Sequence, residues 1–188
     1  MTETASSGMR AMLVNAIPNL RAFAISLTGN HSHAADLVQE TLLKAWTHRA
    51  DFQEGTNLRA WLFTILRNTY FTGIRKSRRE VQDVDGEAAG RLVSLPEQLG
   101  HLDLADFRTA LQKLSPDQRE ALLLIGAEGF SYEEAAVVCG CAVGTIKSRV
   151  NRARLRLAEL LSVDVAQVVD NQSEQLKPKQ SRSHLPAT

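Results

Sequence analysis

Aromatic residues fill only 5% of the 188 positions, there are two cysteines and five prolines, and neither charge sign dominates: 22 basic residues stand against 21 acidic ones, for a net charge of +1. Each shortage excludes something. Cys139 and Cys141 are too close to staple a fold, and no second pair completes a zinc site. They read as small, partly buried thiols in a reducing compartment. His31 and His33 lack a cysteine or carboxylate at ligand spacing and read as solvated residues near a helix start. No apolar run approaches the ~18–20 residues of a bilayer span. Residues 1–11 lack the basic-then-apolar order of a signal peptide, which points to the cytoplasm. Alternating β-branched runs bounded by turns are missing, so no sheet is expected. Nor is there a nucleophile–base–acid set, a phosphate loop or a metal cluster, so neither an enzyme nor a cofactor is expected.

What is present is a hydrophobic fraction of 44%, enough for a packed core, and strong local segregation of charge. Between positions 81 and 106 the acids are Asp83, Asp85, Glu87, Glu97, Asp103 and Asp106, against Arg91 alone. Between 144 and 158 the charges are Lys147, Arg149, Arg152, Arg154 and Arg156, with no acid, and a second basic cluster is Arg75, Lys76, Arg78 and Arg79. Two basic patches separated by an acidic stretch suggest two contact modules on one polyanion.

The pattern is helical almost throughout. Pro18 is expected to open a helix to Thr28 that Gly29-Asn30 stops. Ser32 is the expected N-cap of a second helix over 33–48. A loop over 51–56 then leads to a third helix over 57–75. Residues 80–100, with Gly86, Gly90, Pro96 and Gly100, read as a tether between two domains. The second half has clear start signals: Ser115-Pro116-Asp117-Gln118 and Ser131-Tyr132-Glu133-Glu134 are both capping boxes. After Ser162 the chain turns polar, and a frayed tail is expected. The fold class is all-α: two small helical domains, 9–80 and 102–162, joined by a flexible acidic linker, 81–101, and followed by a tail, 163–188.

A short helix over 132–138, a turn at Gly140 and a second helix from Val143 to about 161 make a helix-turn-helix. At ~100° per residue, Ile146, Val150, Ala153 and Leu157 fall on one inward stripe. The opposite face carries Gly144, Ser148, Asn151, Arg152 and Leu155, flanked by Thr145 and Lys147. Small and hydrogen-bonding residues there suit a DNA major groove, with Arg149, Arg154 and Arg156 placed for phosphates. The plainer account is a solvated basic helix.

In the second helix Ala35, Val38, Leu42, Ala45 and Trp46 form the expected inward stripe, and Asp36, Gln39, Glu40, Leu43 and Thr47 the outward one. Periodicity alone leaves the exposed Leu43 as either accident or partner contact. In the third helix Leu58, Trp61, Leu62, Ile65, Leu66 and Thr69 point one way, and Phe63, Arg67, Tyr70 and Ile74 the other. Aromatics interleaved with basic residues suit stacking of unpaired bases beside a phosphate track. The alternative, which the pattern favours, is that Phe63 and Tyr70 pack on the first helix.

Three motifs in order, Asp36-Leu37-Val38-Gln39-Glu40-Thr41, then Asn57-Leu58-Arg59-Ala60-Trp61-Leu62-Phe63-Thr64-Ile65-Leu66-Arg67-Asn68, then Gly144-Thr145-Ile146-Lys147-Ser148-Arg149-Val150, resemble the bacterial extracytoplasmic-function sigma factors. The run Gln118-Arg119-Glu120-Ala121 with Gly129-Phe130-Ser131-Tyr132 is similar to the EcfG branch, which drives the general stress response of alphaproteobacteria. The resemblance implies two helical units, sigma domains 2 and 4. It implies that Asp36, Gln39, Glu40 and Leu43 dock on the β′ clamp of core RNA polymerase. It implies that the loop with Phe52, Gln53, Thr56 and Asn57, beside Phe63 and Arg67, takes the promoter −10 element. Thr145, Lys147, Ser148, Arg149, Asn151, Arg152 and Arg154 would then read the −35 element. A small NepR-like anti-sigma protein that clamps both domains is implied as a further partner. Two other readings are a sigma-like decoy that binds the anti-sigma protein without DNA, and a stand-alone helix-turn-helix repressor. The acidic tether predicts that the free domains sample many relative placements.

Overall fold

The structure, a computed structural model, describes residues 2–53, 55–82 and 102–161. Seven α-helices are described: α1 (Thr2–Thr28), α2 (His31–Thr47), α3 (Leu58–Gln82), α4 (Leu102–Gln112), α5 (Pro116–Gly126), α6 (Tyr132–Cys139) and α7 (Val143–Leu160), with a single 3-10 turn, Arg49–Asp51, after α2. There is no strand among the described residues. The expected tether falls mostly on 83–101, outside the described residues, as does the tail, 163–188. Asp103 and Asp106, the last acids of the 81–106 stretch, belong to α4, a helix the capping signals did not announce.

Several helix starts differ from expectation. Pro18 lies inside α1, which begins sixteen residues earlier. A proline there removes one donor to the carbonyl four residues back. Val14 at that position is 57% exposed, so water can take the place of the lost N–H. The α2 cap is Asn30, whose side chain accepts from the His33 N–H at 3.0 Å. Asn30 wins over Ser32 because Gly29, at φ +69°, closes α1 and places the next residue in the extended conformation a cap needs. Both capping boxes of the second half form as written, at Ser115 with Gln118 and at Ser131 with Glu134.

Helices α1 to α3 pack on one another, as do α4 to α7. The segment Gly8–Thr28 is long and apolar enough to cross a bilayer by length and composition, with mean hydropathy 1.2, contrary to the reading of the sequence. Its use in this fold is to supply a core face: Leu20, Phe23, Ala24 and Leu27 are fully buried. In α2 the buried stripe is Ala34, Leu37, Val38, Thr41 and Ala45, one step round from the expected one. Ala35 is exposed, and Leu42 and Trp46 are only partly covered.

The two groups of helices are not independent. Helix α3 lies on α6, and α1 on α5 and α4. Phe63 is 1% exposed, with its ring centroid 4.9 Å from Phe23 and 5.1 Å from Phe130 of the second group. Arg119 reaches across as well: it donates to the carbonyls of Leu111, Gln112 and Leu114 and, at 2.6 Å, to that of Leu27 at the end of α1. Gln112 donates to the Ser26 carbonyl at 3.0 Å. A tether poor in apolar residues argues for independent placement; in the structure the aromatic second face of α3 meets Phe130 of the second group.

Candidate nucleic-acid interface

The helix-turn-helix forms as its chemistry dictates. Ser131 caps α6, Gly140 takes the left-handed conformation at φ +60°, and α7 follows three residues later. Ile146, Val150, Ala153 and Leu157 are all buried, so the other face of α7 turns outward. Lys147, Asn151, Arg152 and Arg156 are exposed; Thr145, Ser148, Arg149 and Arg154 are half-buried. Arg152 folds back along its helix, donating to the Ser148 carbonyl at 3.3 Å and hydroxyl at 3.1 Å. Lys147 lies 5.7 Å over the Tyr132 ring. Arg149 is held by Asp117 at 3.3 Å, which ties α7 to the start of α5. Arg156 pairs with Glu159 at 2.8 Å.

In the first helical group, Gly55 at φ +88° and the Thr56 hydroxyl bonded to the Gln53 carbonyl at 2.7 Å shape the loop before α3. Gln53, Thr56 and Asn57 are exposed. Phe52 is half-buried and rests on Trp61, with ring centroids 5.3 Å apart. Beside this pair a cleft of about 390 Å³ opens between α2 and α3, walled by Trp61, Lys44, His48, Asn68, Thr69 and Thr72 among others. Lys44 bridges it, to Glu40 at 2.7 Å and the Thr69 hydroxyl at 3.0 Å. The sequence reading missed these wall residues. Lys44, four residues after Glu40, passes for a surface helix pair, and Thr69 for core.

Two of the residues assigned to the same surface stand elsewhere. The Phe63 ring is in the core, because α1 and the second helical group close on it from both sides. Packing on α1, the alternative raised from the pattern, is what the structure shows, and Tyr70 joins it by donating to the Leu27 carbonyl at 3.2 Å. Arg67 faces Glu120 of α5, Nε to carboxylate, at 2.9 Å.

Asp36, Gln39, Glu40 and Leu43 are exposed together on α2, Leu43 at 60%. Gln39 and Leu43 line an open apolar groove of about 560 Å³ between α1 and α2, with Val14, Ile17, Leu42 and Trp46.

Glu120 has no exposed surface, and burial pushes its carboxyl up to about 7 against the opposing pull of Arg67. Burial also raises the Cys139 thiol beside it and lowers Arg119. Arg67 from α3, Cys139 from α6, Arg149 from α7 and Asp117 on its own helix are the charged or titratable groups that act on Glu120. A carboxyl whose pKa rises on folding binds its proton more tightly when folded, so stability increases as pH falls from about 7 towards 4.5. The melting temperature at pH 5.5 should exceed that at pH 8, and Glu120→Gln should flatten the difference.

Known proteins share this arrangement. Residues 13–80 match Sigma-70 region 2, and residues 104–157 match Sigma-70, region 4. The chain is 60% identical over 162 residues, 86% of its own length and 90% of the relative's, to the ECF RNA polymerase sigma factor EcfG of Rhodopseudomonas palustris. It is an extracytoplasmic-function sigma factor of the sigma-70 family. Among solved structures it is similar to the Bartonella quintana sigma factor RpoE in complex with the anti-sigma factor NepR. The TM-score is 0.76 and the identity 58%, over 84% of this chain and 98% of that one. The fold alone is shared with the anti-anti-sigma factor PhyR of the same organism, at a TM-score of 0.56 and 18% identity, over 88% of this chain and 60% of that one. A sigma factor is a specificity subunit and not an enzyme.

Proposed function

We propose that this sigma factor binds core polymerase through Asp36, Gln39, Glu40 and Leu43 and directs it to general stress promoters in the cytoplasm. Residues 9–80 act as domain 2 and 102–162 as domain 4. The observation that carries the reading is the outward face of α7, where Lys147, Ser148, Asn151 and Arg152 share one side of a helix whose other side is buried. Those residues meet base edges of the −35 duplex, while Arg149 and Arg154 position the phosphates. The loop with Phe52, Gln53, Thr56 and Asn57 takes an unpaired base of the −10 element. The cleft walled by Trp61, Lys44 and Asn68 offers it a stacking ring and hydrogen-bonding groups. Phe63 supports this surface from below, and Arg67 becomes a phosphate ligand when Glu120 withdraws. No covalent step is involved; melting is driven by capture of unstacked bases.

The 58% identity to a sigma factor solved with NepR supports a NepR-like anti-sigma protein as the regulator. A decoy would share the fold but have no use for the Lys147-to-Arg152 face. The test is gel filtration with core polymerase. Gln39→Ala with Leu43→Ala should abolish co-elution while the circular dichroism melt stays unchanged, because both side chains are exposed. Co-elution at wild-type strength would remove the assigned surface.

A further inference from the structure

The run Gln118-Arg119-Glu120-Ala121 makes none of the polymerase or DNA contacts assigned above, yet it holds two of the four buried polar or charged residues among the described residues, Arg119 and Glu120. Both reach from the second helical group to the first. Glu120 faces Arg67 at 2.9 Å. Glu128, its side chain 10% exposed, holds Arg59 at 2.7 Å, with a further contact from Arg59 to the Glu128 carbonyl. Glu134 accepts from the Asn57 amide at 2.9 Å through one oxygen while the other completes the α6 capping box. Phe130 closes over Phe63, and the Arg59 guanidinium stacks on Phe130 at 4.4 Å. Three carboxylates, from α5, from α6 and from the loop between them, thus sit on Asn57, just before α3, and on Arg59 and Arg67 of α3. Two of those residues, Asn57 and Arg67, are the ones assigned to single-stranded promoter DNA.

We propose that the free chain is partly self-masked: Glu120, Glu128 and Glu134 stand in for phosphates, latching the C-terminal unit onto the Asn57 and Arg67 side of the single-strand surface until the two units are drawn apart, while Gln53 and Thr56 stay exposed. The proposal rests on the assignment of Asn57 and Arg67 to the −10 strand. Carboxylate and phosphate compete for the same guanidinium, so latch and promoter strand exclude each other. The latch is also built to let go. Neither Glu120 oxygen, nor the Arg67 Nε opposite, has a hydrogen bond of good geometry, although all are buried. A buried pair without full hydrogen bonding recovers little of its desolvation cost, so separating the units lets Glu120 and Arg67 regain hydration at small net expense. Arg119 does the opposite work. Three of its four carbonyl partners lie within its own unit, so it keeps α4 and α5 together whether or not Leu27 is in reach.

The experiment uses the full chain. Small-angle X-ray scattering compares wild type with Glu120→Gln/Glu128→Gln, and with Glu128→Gln/Glu134→Gln, which leaves the buried Glu120 untouched and keeps a glutamine in the capping box. Fluorescence anisotropy with a labelled mixed-sequence single-stranded DNA at low salt follows access to the surface. Both variants should show a larger radius of gyration, an unchanged helical signal and roughly tenfold tighter single-strand binding, the factor expected if the open form is about a tenth of the wild-type population. If the first variant fails to fold, the second decides. A radius of gyration equal to wild type overturns the latch; expansion without tighter binding overturns the masking. Run-off transcription by reconstituted holoenzyme is measured alongside. Its failure in wild type would sink the promoter assignment, whereas a failed latch leaves it intact.

Discussion

Phe63→Ala should cost about 3–5 kcal/mol of folding stability, the range for deleting a buried phenylalanine ring. For a domain with about 5–15 kcal/mol in hand, that removes between roughly a fifth and all of the folding stability. The reason is position. The ring is 1% exposed, tilted against Phe23 at 4.9 Å and edge-on to Phe130 at 5.1 Å, with the Arg59 guanidinium 5.5 Å above it. A urea melt followed by circular dichroism measures the loss, and Phe63→Leu should recover most of it. A side chain that merely stacked on DNA bases would leave the melt where it was, so this substitution separates the two roles that the pattern of α3 allowed. Phe52→Ala should behave in the opposite way, since Phe52 is only half-buried.

Arg152→Ala should weaken binding to a −35 duplex by about 5- to 150-fold, the equivalent of the ~1–3 kcal/mol that a good base contact supplies. It should also relax preference at one base position. Arg152 is exposed and rests on Ser148 of its own helix, so its removal leaves no buried group unpaired and the fold should not notice. Arg154→Ala, by contrast, should weaken all sequences alike and lower the salt dependence of binding. Competition anisotropy against a panel of single-base duplex variants distinguishes the two patterns. If Arg152→Ala changed neither affinity nor preference, the α7 face would be wrongly assigned.

The parts of this fold that could be read from sequence are those controlled by a few neighbouring residues. The two capping boxes, the Gly140 turn and the buried stripe of α7 each depend on chemistry within one or two turns of helix, and each stands where the residues place it. The exposed set on α2 was legible for the same reason. What was hidden depends on distant partners. Pro18 looked like a helix start because nothing local reveals that Val14 faces water. The second face of α3 left base stacking and packing on α1 both open, with packing favoured, and its further cover by Phe130 and Glu120 was hidden because they lie more than fifty residues on. The α2 core stripe came out one step round because Leu42 and Trp46 border an open groove and are only partly buried, while Thr41, polar by type, satisfies its hydroxyl on the Leu37 carbonyl at 2.7 Å and goes inside.

The chain's two tryptophans fall on different sides of this arrangement. Trp46 borders the apolar groove between α1 and α2, with Arg10 and Arg49 over its ring at 5.6 and 4.8 Å. Trp61 walls the polar cleft between α2 and α3 beneath Phe52. Intrinsic fluorescence therefore carries two separable signals. Displacement of the arginines by a protein helix alters emission from Trp46, whereas a nucleobase in the cleft quenches Trp61. With Trp46→Phe or Trp61→Phe leaving one indole at a time, the same unlabelled sample reports in stopped flow whether the protein-facing groove or the DNA-facing cleft fills first during assembly on a promoter.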